Sequence, residues 1–492
     1  MRGKRMGSYA RPNGMRLPIL QRHVGPQGER RSMESRSFAP LRERIAGQVT
    51  LPSDDDYDHA RRVWNGMIER RPVAVARVTS VSDIREALAF AKERSLPLAV
   101  RGGGHNVAGN GSVDAGLVLD LGDLDSVVVD PERRTVIVGG GATLAHVDRA
   151  TTQHGLVVPL GVVSRTGVGG LTLGGGVGWL LRSHGLTVDS LLAAEVVTAS
   201  GDVVRTSAEE NADLFWALSG GGGNFGVVSQ FTFRAYQIPD RAFSGNLVYR
   251  QPKWRDALVA FADWGRTAPD AVTAIVTFIV PPPDWAMGDE PLMILGFASS
   301  SADVAEGEAA IAPLRNAVPA DVEVVEPTPW LEWQSAVDGT FPVGVRAYWK
   351  NTSFDALDDA VIELFLRRGA EQTWQGTAFD IHLMGGAFAR VPEGATAFPS
   401  RSAGYWLNIY GFWADEADDL DRIRFVREFS EDMEPFSAGG QYINFLPGAS
   451  AGEAPASASA VYGEEKLARL VAVKQAWDPE NTFRLNHNIP PR

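Results

Sequence analysis

Three glycine clusters crowd the stretch 101–178 and constrain the fold more than any other feature of the chain. The first is Arg101-Gly-Gly-Gly-His-Asn-Val-Ala-Gly109. It follows Leu98-Ala-Val100, which reads as a short buried strand, and leads to a second strand, Leu117-Val-Leu-Asp-Leu121. The next is Gly139-Gly-Gly141 after Thr135-Val-Ile-Val138, and the last is Gly167-Val-Gly-Gly-Leu-Thr-Leu-Gly-Gly-Gly-Val-Gly178. Each glycine raises the conformational entropy lost on folding, so an ordinary core gains nothing from so many. In return glycine offers bare backbone, whose N–H groups can face a phosphate at close range. Three such loops fit an extended dinucleotide threaded between backbone segments, with His105 standing directly behind the first. The Rossmann fingerprint does not fit, because no loop opens a long amphipathic helix with an acidic residue about twenty positions on. Taken alone, the first loop and its histidine read more readily as a turn.

The rest of the composition narrows the class. A chain of 492 residues suggests two domains with room for a large core. The net charge of −13 disfavours nucleic acid or an anionic membrane as partner. The absence of cysteine excludes disulfides, thiolate chemistry and cysteine-based metal sites. No histidine or carboxylate cluster has ligand spacing, so no metal is expected. No apolar run reaches membrane-spanning length. Residues 1–36 are basic, contain proline and glycine, and lack the apolar stretch of a secretory signal. They read as a disordered tail, and the expectation is a cytoplasmic protein. Its oligomeric state is not readable.

Periodicity places the elements. Residues 60–71 read as a helix-to-strand entry and 72–76 as a strand. A helix follows over 81–94, capped by Ser82, with Ile84, Ala87, Leu88 and Ala91 on one face. Further on, a helix is expected over 144–154, a hairpin over 195–205 turning at Ser200-Gly201, a helix over 211–218 and a strand over 227–236. Near Pro239 the glycine clusters end. Strands at 245–250, 271–280, 292–298, 346–349, 379–384 and 405–412 then alternate with helices at 254–266, 302–314, 356–368 and 417–433. This predicts an antiparallel sheet covered by helices, a separate α+β domain. Residues 450–459 read as a loop and 464–477 as the last helix. The division is then 37–238, 239–460, and a segment 461–492.

At these motifs the chain resembles a known family. The stretches 101–109 and 167–178, with Gly220-Gly-Gly-Gly-Asn-Phe-Gly226 and Phe483-Arg-Leu-Asn-His-Asn-Ile489, look like the FAD-linked oxidases of the berberine bridge enzyme type. These are also called vanillyl-alcohol-oxidase or PCMH-type flavoproteins. The likeness runs from roughly residue 60 to the C-terminus and is nearest to the bacterial 6-hydroxy-D-nicotine-oxidase-like branch. It implies a two-domain α+β PCMH-type fold, FAD as cofactor, and return of segment 461–492 to the FAD domain. It also implies a covalent bond from His105 to the flavin 8α-methyl. Some members add a cysteine just before the last glycine cluster; Val163 stands there in this chain, so attachment through His105 alone is implied. The matching positions for FAD contact are Arg101, Gly102, Gly103, Gly104, Asn106, Gly109, Gly139, Gly140, Thr166, Gly167, Gly169, Gly170, Gly174, Gly175, Gly178, Gly226, Val227, Tyr442, Asn444, Asn486 and Asn488. The small Thr166 would leave room for O2 beside the ring.

The expected reaction removes a hydride from a carbon next to an alcohol oxygen or amine nitrogen of a small molecule, with O2 reoxidising the flavin to give H2O2. A dehydrogenase using another acceptor, or a flavin-binding protein without turnover, remains open. Such chemistry needs a proton acceptor. Tyr442-Ile-Asn444 would lie on one face of a strand. The family's Tyr-x-Asn motif implies that this tyrosine acts on substrate protons and that Asn444 contacts FAD; the alternative is a tyrosine buried in a core. Asn408 and Tyr410 are also two apart on a strand, but Asn408 stands where relatives carry a carboxylate, glutamine or tyrosine, and it cannot act as a base. That shifts weight to Tyr442, its pKa lowered by a neighbouring cation, for which Lys350 is the candidate. Lys350 is otherwise a solvated strand end. His382 either faces the substrate or sits in the core, and Asp120, Asp189 and Asp213 read as structural.

Overall fold

The computed structural model describes residues 37–448 and 458–492. The basic tail expected over 1–36, and most of the loop expected over 450–459, lie outside the described residues. The sheets and helices below all belong to the unit Leu41–Arg492.

Strands β1 (Gln48–Thr50), β2 (Ala74–Arg77), β3 (Leu98–Arg101) and β4 (Leu117–Asp120) form a four-stranded sheet in the order β1-β2-β4-β3. β2 and β3 run parallel to the central β4, whose four residues are all buried, the pattern of a parallel strand covered on both faces. The crossover from β2 to β3 is the helix Val81–Glu93. Its cap is Ser80 rather than Ser82: Ser80 Oγ accepts from the Asp83 backbone at 3.1 Å, and Ser80 has the extended backbone of a cap. Residues 61–73 form no strand.

A five-stranded antiparallel sheet follows, built from β5 (Val127–Asp130), β6 (Thr135–Gly139), β8 (Leu191–Val197), β9 (Val203–Ser207) and β10 (Val227–Arg234) in the order β5-β6-β10-β8-β9. A two-stranded ribbon pairs β7 (Leu156–Val157) with β11 (Tyr236–Gln237). The glycine clusters lie in the loops that follow β3, β6 and β7. The first and last of them meet backbone to backbone: a Cβ on Gly103 would lie 2.4 Å from the Gly167 nitrogen, and one on Gly167 would lie 2.2 Å from the Gly103 nitrogen. Only glycine at both places allows that approach.

A seven-stranded antiparallel sheet comprises β12 (Arg241–Tyr249), β13 (Val272–Val280), β14 (Leu292–Ser299), β15 (Val322–Pro329), β16 (Arg346–Phe354), β17 (Gly376–Leu383) and β18 (Tyr405–Trp413), ordered β15-β12-β14-β13-β17-β18-β16. The strand β15 was not anticipated; it carries Pro327 and Pro329, which a sheet accepts at its edge. Helices Trp254–Gly265, Val304–Ala317, Asp359–Ala370 and Asp419–Met433 supply the cover of one face. They close a core that includes Phe261, Phe278, Phe365, Phe379 and Phe429.

The other face is set by register. Successive pairings align one residue from every strand in a single transverse row: Val322, Val248, Ile294, Thr277, Asp380, Asn408 and Asn351. An extra residue in β17 opposite Phe278 and Ile279 makes a bulge, so Ala378 and Phe379 both turn to the helix side while Thr377 and Asp380 both face away from it.

The C-terminal segment packs against the glycine-rich half. The helix Ala458–Trp477 is kinked at Gly463, where φ is 70°. Lys474 and Asp478 are fully buried as an ion pair at 2.7 Å, and Lys474 Nζ also donates to the carbonyls of Asn224 and Phe483. Asn224 in turn donates to the His487 carbonyl and accepts from the Ile489 backbone. Among the described residues no helix is long and apolar enough to cross a membrane.

Candidate active site

The glycine clusters and the open face of the seven-stranded sheet enclose a cavity of about 600 Å³, within the range of cofactor and ligand sites. Its floor includes Gly102, Gly103, Gly104, Gly140, Gly167, Gly169 and Gly170. A Cβ on Gly170 would meet nothing within 4 Å, so bare backbone faces open space there.

His105 lies on this floor. Its ring stacks on Trp64 with centroids 4.6 Å apart, and Trp64 packs in turn against Trp349 and Phe412. Burial holds its imidazole down to about pH 4, so it is neutral near pH 7. Its Nε2 is buried without a hydrogen-bond partner. Arg101 is buried beside it, but its guanidinium is committed: it donates to Asp120 at 2.9 Å and to the carbonyls of Ala60 and Arg62. Arg101 therefore braces the loop and offers no spare charge to a ligand.

Of the other residues expected at the cofactor, Asn106, Thr166, Gly226, Val227, Tyr442, Asn444 and Asn486 line the cavity. Gly109, Gly139, Gly174, Gly175, Gly178 and Asn488 are not part of the lining. These glycines serve close packing instead. A Cβ on Gly139 would strike the Leu124 carbonyl, one on Gly178 the Leu160 carbonyl, one on Gly175 the Phe398 ring, and one on Gly174 the Asn444 amide. Asp120 and Asp189 pair with Arg101 and Arg401, and Asp213 accepts from the Trp477 indole.

The expected proton machinery needs correction. Tyr442 and Asn444 are not on a strand: Tyr442 precedes a short 3-10 turn, Ile443–Phe445. They still meet, because the turn brings Asn444 Nδ2 to donate to the Tyr442 hydroxyl at 3.0 Å. The Gly176 backbone N–H donates to the same hydroxyl at 3.2 Å. Lys350 is not part of the cavity. It follows Trp349 and precedes Asn351, so strand alternation turns it to the other face. Without that cation, burial pushes the Tyr442 hydroxyl up to about 12 rather than down.

A different group occupies the cavity's polar corner. Asp380, on β17, accepts from Asn408 Nδ2 at 2.8 Å on one oxygen and from the Tyr410 hydroxyl at 2.9 Å on the other. His382 Nε2 lies 3.0 Å from Asp380 Oδ1 and 3.1 Å from Asn408 Nδ2. Burial and the Asp380 charge raise Tyr410 well above its ordinary value, so it remains a donor. Asn351 sets the polarity of this network. Its oxygen accepts from the Tyr442 backbone at 3.0 Å, which leaves its amide nitrogen to donate to Asn408 Oδ1 at 2.7 Å. Asn408 is thereby turned with its NH2 group toward Asp380. Asp380 escaped the sequence reading; the available signal was Asp380-Ile-His382, two ionisable side chains at strand spacing among Ala378, Phe379, Ile381 and Leu383.

Comparison with known proteins agrees with these features. Residues 72–207 match the family model described as FAD binding domain, and residues 441–490 the model described as berberine and berberine like. Xylooligosaccharide oxidase of Thermothelomyces thermophilus is 30% identical over 482 residues, covering 90% of this chain and 92% of that protein. The chain belongs to the FAD-linked oxidases of the berberine bridge enzyme type. Among solved structures, 6-hydroxy-D-nicotine oxidase from Arthrobacter nicotinovorans superposes with a TM-score of 0.82 at 26% identity, over 92% of this chain and 99% of that one. Glucooligosaccharide oxidase from Acremonium strictum, described with a 6-S-cysteinyl, 8α-N1-histidyl FAD, shares the fold at 23% identity and a TM-score of 0.79, over 92% of this chain and 99% of that one.

This flavoenzyme therefore uses FAD, and its own residues fit that cofactor. The cavity floor is side-chain-free backbone, and several polar atoms on the lining are buried with no protein partner, His105 Nε2 and Asn486 Oδ1 among them. Such orphaned atoms are costly unless a ligand satisfies them.

Proposed function

We propose that this enzyme oxidises a small-molecule alcohol or amine, with Asp380 as the proton acceptor. FAD, when bound, would supply the two-electron acceptor for the hydride and the reducing equivalents that turn O2 into H2O2. The observation that carries the reading is the Asp380 carboxylate, set on the cavity wall and ringed by Asn408, Tyr410 and His382. A substrate hydroxyl has a pKa far above neutrality, so loss of hydride without loss of its proton would leave a costly cation. Asp380 takes that proton, and His382 at 3.0 Å can share it. Tyr410 and Asn408 hold the carboxylate in place. Tyr442, kept protonated by burial, has both neighbours donating to its oxygen, so its own O–H is available to orient the substrate oxygen.

His105, neutral and with a free ring nitrogen, is suited to the nucleophilic attachment of the flavin. Val163, a cavity residue, offers no second attachment point. Thr166 also lines the cavity, and a side chain that small would leave room for O2.

The test is anaerobic mixing of the yellow enzyme with a panel of alcohols and amines, followed by admission of air. Bleaching by at least one compound, and recolouring within seconds with H2O2 released, is the expected result. Recolouring over many minutes would indicate a dehydrogenase; no bleaching by any compound would indicate a flavin-binding protein without turnover.

A further inference from the structure

The transverse row across the seven-stranded sheet has a sharp polarity boundary. On one side of Thr277 stand Asp380, Asn408 and Asn351; on the other stand Ile294, Val248 and Val322. All but Asn351 are on the cavity lining. With neighbouring strands about 4.8 Å apart, the apolar side runs about 19 Å from Asp380 on β17 to Val322 on the edge strand β15. Its outer end is open. Val322, Val324 and Trp285, all on the lining, are 39%, 56% and 40% exposed, unusual for large apolar side chains beside a cavity. Among the described lining residues the only Lys, Arg, Asp or Glu are Arg101 and Asp380. The guanidinium of Arg101 is already bound to Asp120.

We propose that the substrate is elongated and largely apolar: an alcohol or amine on an uncharged aliphatic or aromatic body that lies along β13, β14 and β12 toward the Trp285 rim. The proposal rests on Asp380 being the group that receives the substrate's proton. A carboxylate or phosphate substrate would find no free cation. An oligosaccharide would find few polar partners along this track, Thr277, Asn246 and the indole N–H groups of Trp179 and Trp333, and each further hydroxyl left without a partner costs roughly 1–3 kcal/mol. An alkyl or aryl body instead covers Ile294, Val248, Val322 and Trp285 and removes apolar surface from water.

Calorimetric titration of the holoenzyme with phenol and its 4-ethyl, 4-butyl and 4-hexyl derivatives tests this, with xylobiose as the polar comparison. The phenol O–H stands for the substrate hydroxyl at Asp380. Each added CH2 should lower Kd roughly three- to fourfold, and xylobiose should bind far more weakly than 4-hexylphenol. Ile294→Asp, about 10 Å along the row, should cost 4-hexylphenol roughly tenfold more affinity than it costs phenol. Equal Kd across the wild-type series, or xylobiose binding as tightly as 4-hexylphenol, would overturn the apolar track and leave the role of Asp380 standing. No phenol binding at all, or phenol affinity unaltered in Asp380→Asn, would overturn the role of Asp380 and the track with it.

Discussion

Asp380→Asn and Tyr442→Phe make opposite demands on the two candidate bases. The first change is nearly isosteric. The new amide oxygen can still accept from Asn408, and the amide nitrogen can donate to Tyr410, whose hydroxyl works in either sense. Fold and flavin content should therefore survive, while the proton acceptor is gone. A positioned base is worth roughly 10²–10⁴ in rate, so the rate of anaerobic flavin reduction should fall by that factor, about 3–5.5 kcal/mol of barrier. Tyr442→Phe removes an oxygen that accepts from Gly176 N at 3.2 Å and Asn444 Nδ2 at 3.0 Å. Each buried donor left unpaired costs about 1–3 kcal/mol. At about 2 cal/mol/K per residue, unfolding of a chain this long carries about 1 kcal/mol per kelvin, so the melting point should drop by about 2–6 °C. The lost orienting hydrogen bond should slow reduction about tenfold at most. Stopped-flow reduction by one alcohol substrate, with melting curves on the same samples, reads both effects. Near-wild-type reduction in Asp380→Asn beside a hundredfold or greater loss in Tyr442→Phe would refute the assignment and return the base to Tyr442.

Other expectations are separate. His105→Ala should lose the covalent bond, so acid precipitation gives a white pellet with FAD in the supernatant, whereas the wild-type pellet stays yellow; a colourless wild-type pellet would refute attachment. Asp148 is fully buried, and burial, with some help from Asp338, pushes its carboxyl up to about 8 from an ordinary 3.8. The folded state then holds a proton that the unfolded state gives up above pH 4, so this group's contribution to stability falls as pH rises from about 4 to about 8 and is flat beyond. Asp148→Asn removes that penalty, about 4 kcal/mol at pH 7, and should raise the melting point by about 4 °C there with little change near pH 4; parallel melting-point curves across pH would refute it. Thr166→Leu should slow recolouring in air several-fold, measured by mixing the pre-reduced protein with oxygenated buffer; an unchanged rate would remove Thr166 from the oxygen path.

Legibility in the sequence followed the physics of each element. The glycine clusters announced the cofactor floor because bare backbone has few other uses, yet they did not separate Gly103 and Gly170, which line the cavity, from Gly139 and Gly178, which make room for neighbouring carbonyls. Amphipathic periodicity found the four helices of the seven-stranded sheet and six of its strands. It missed β15, where two prolines and Glu323 and Glu326 hide an edge strand. Asn408 and Tyr410 were placed on one face correctly because a period of two depends only on local spacing. Lys350 failed by one residue of that same period, and Tyr442 by a turn that mimics strand spacing. Asp380 depends on pairing between strands distant in sequence, and no local pattern shows that its partners will be Asn408 and Tyr410.

The bulge in β17 also bears on how a chain of this kind can change over generations. With Ala378 as the extra residue, Thr377 and Asp380 share a side although their spacing has the wrong parity for a regular strand. Loss of Ala378 would remove the bulge and leave Thr377, Phe379 and Asp380 on their present faces, whereas loss of Ile381 would put His382 on the face opposite Asp380, toward the phenylalanine core. Point substitutions along the apolar row can therefore drift and retune what is bound, one side chain at a time. Changes in the length of this strand are confined to the bulge, because a codon lost or gained between Asp380 and His382 puts the two on opposite faces.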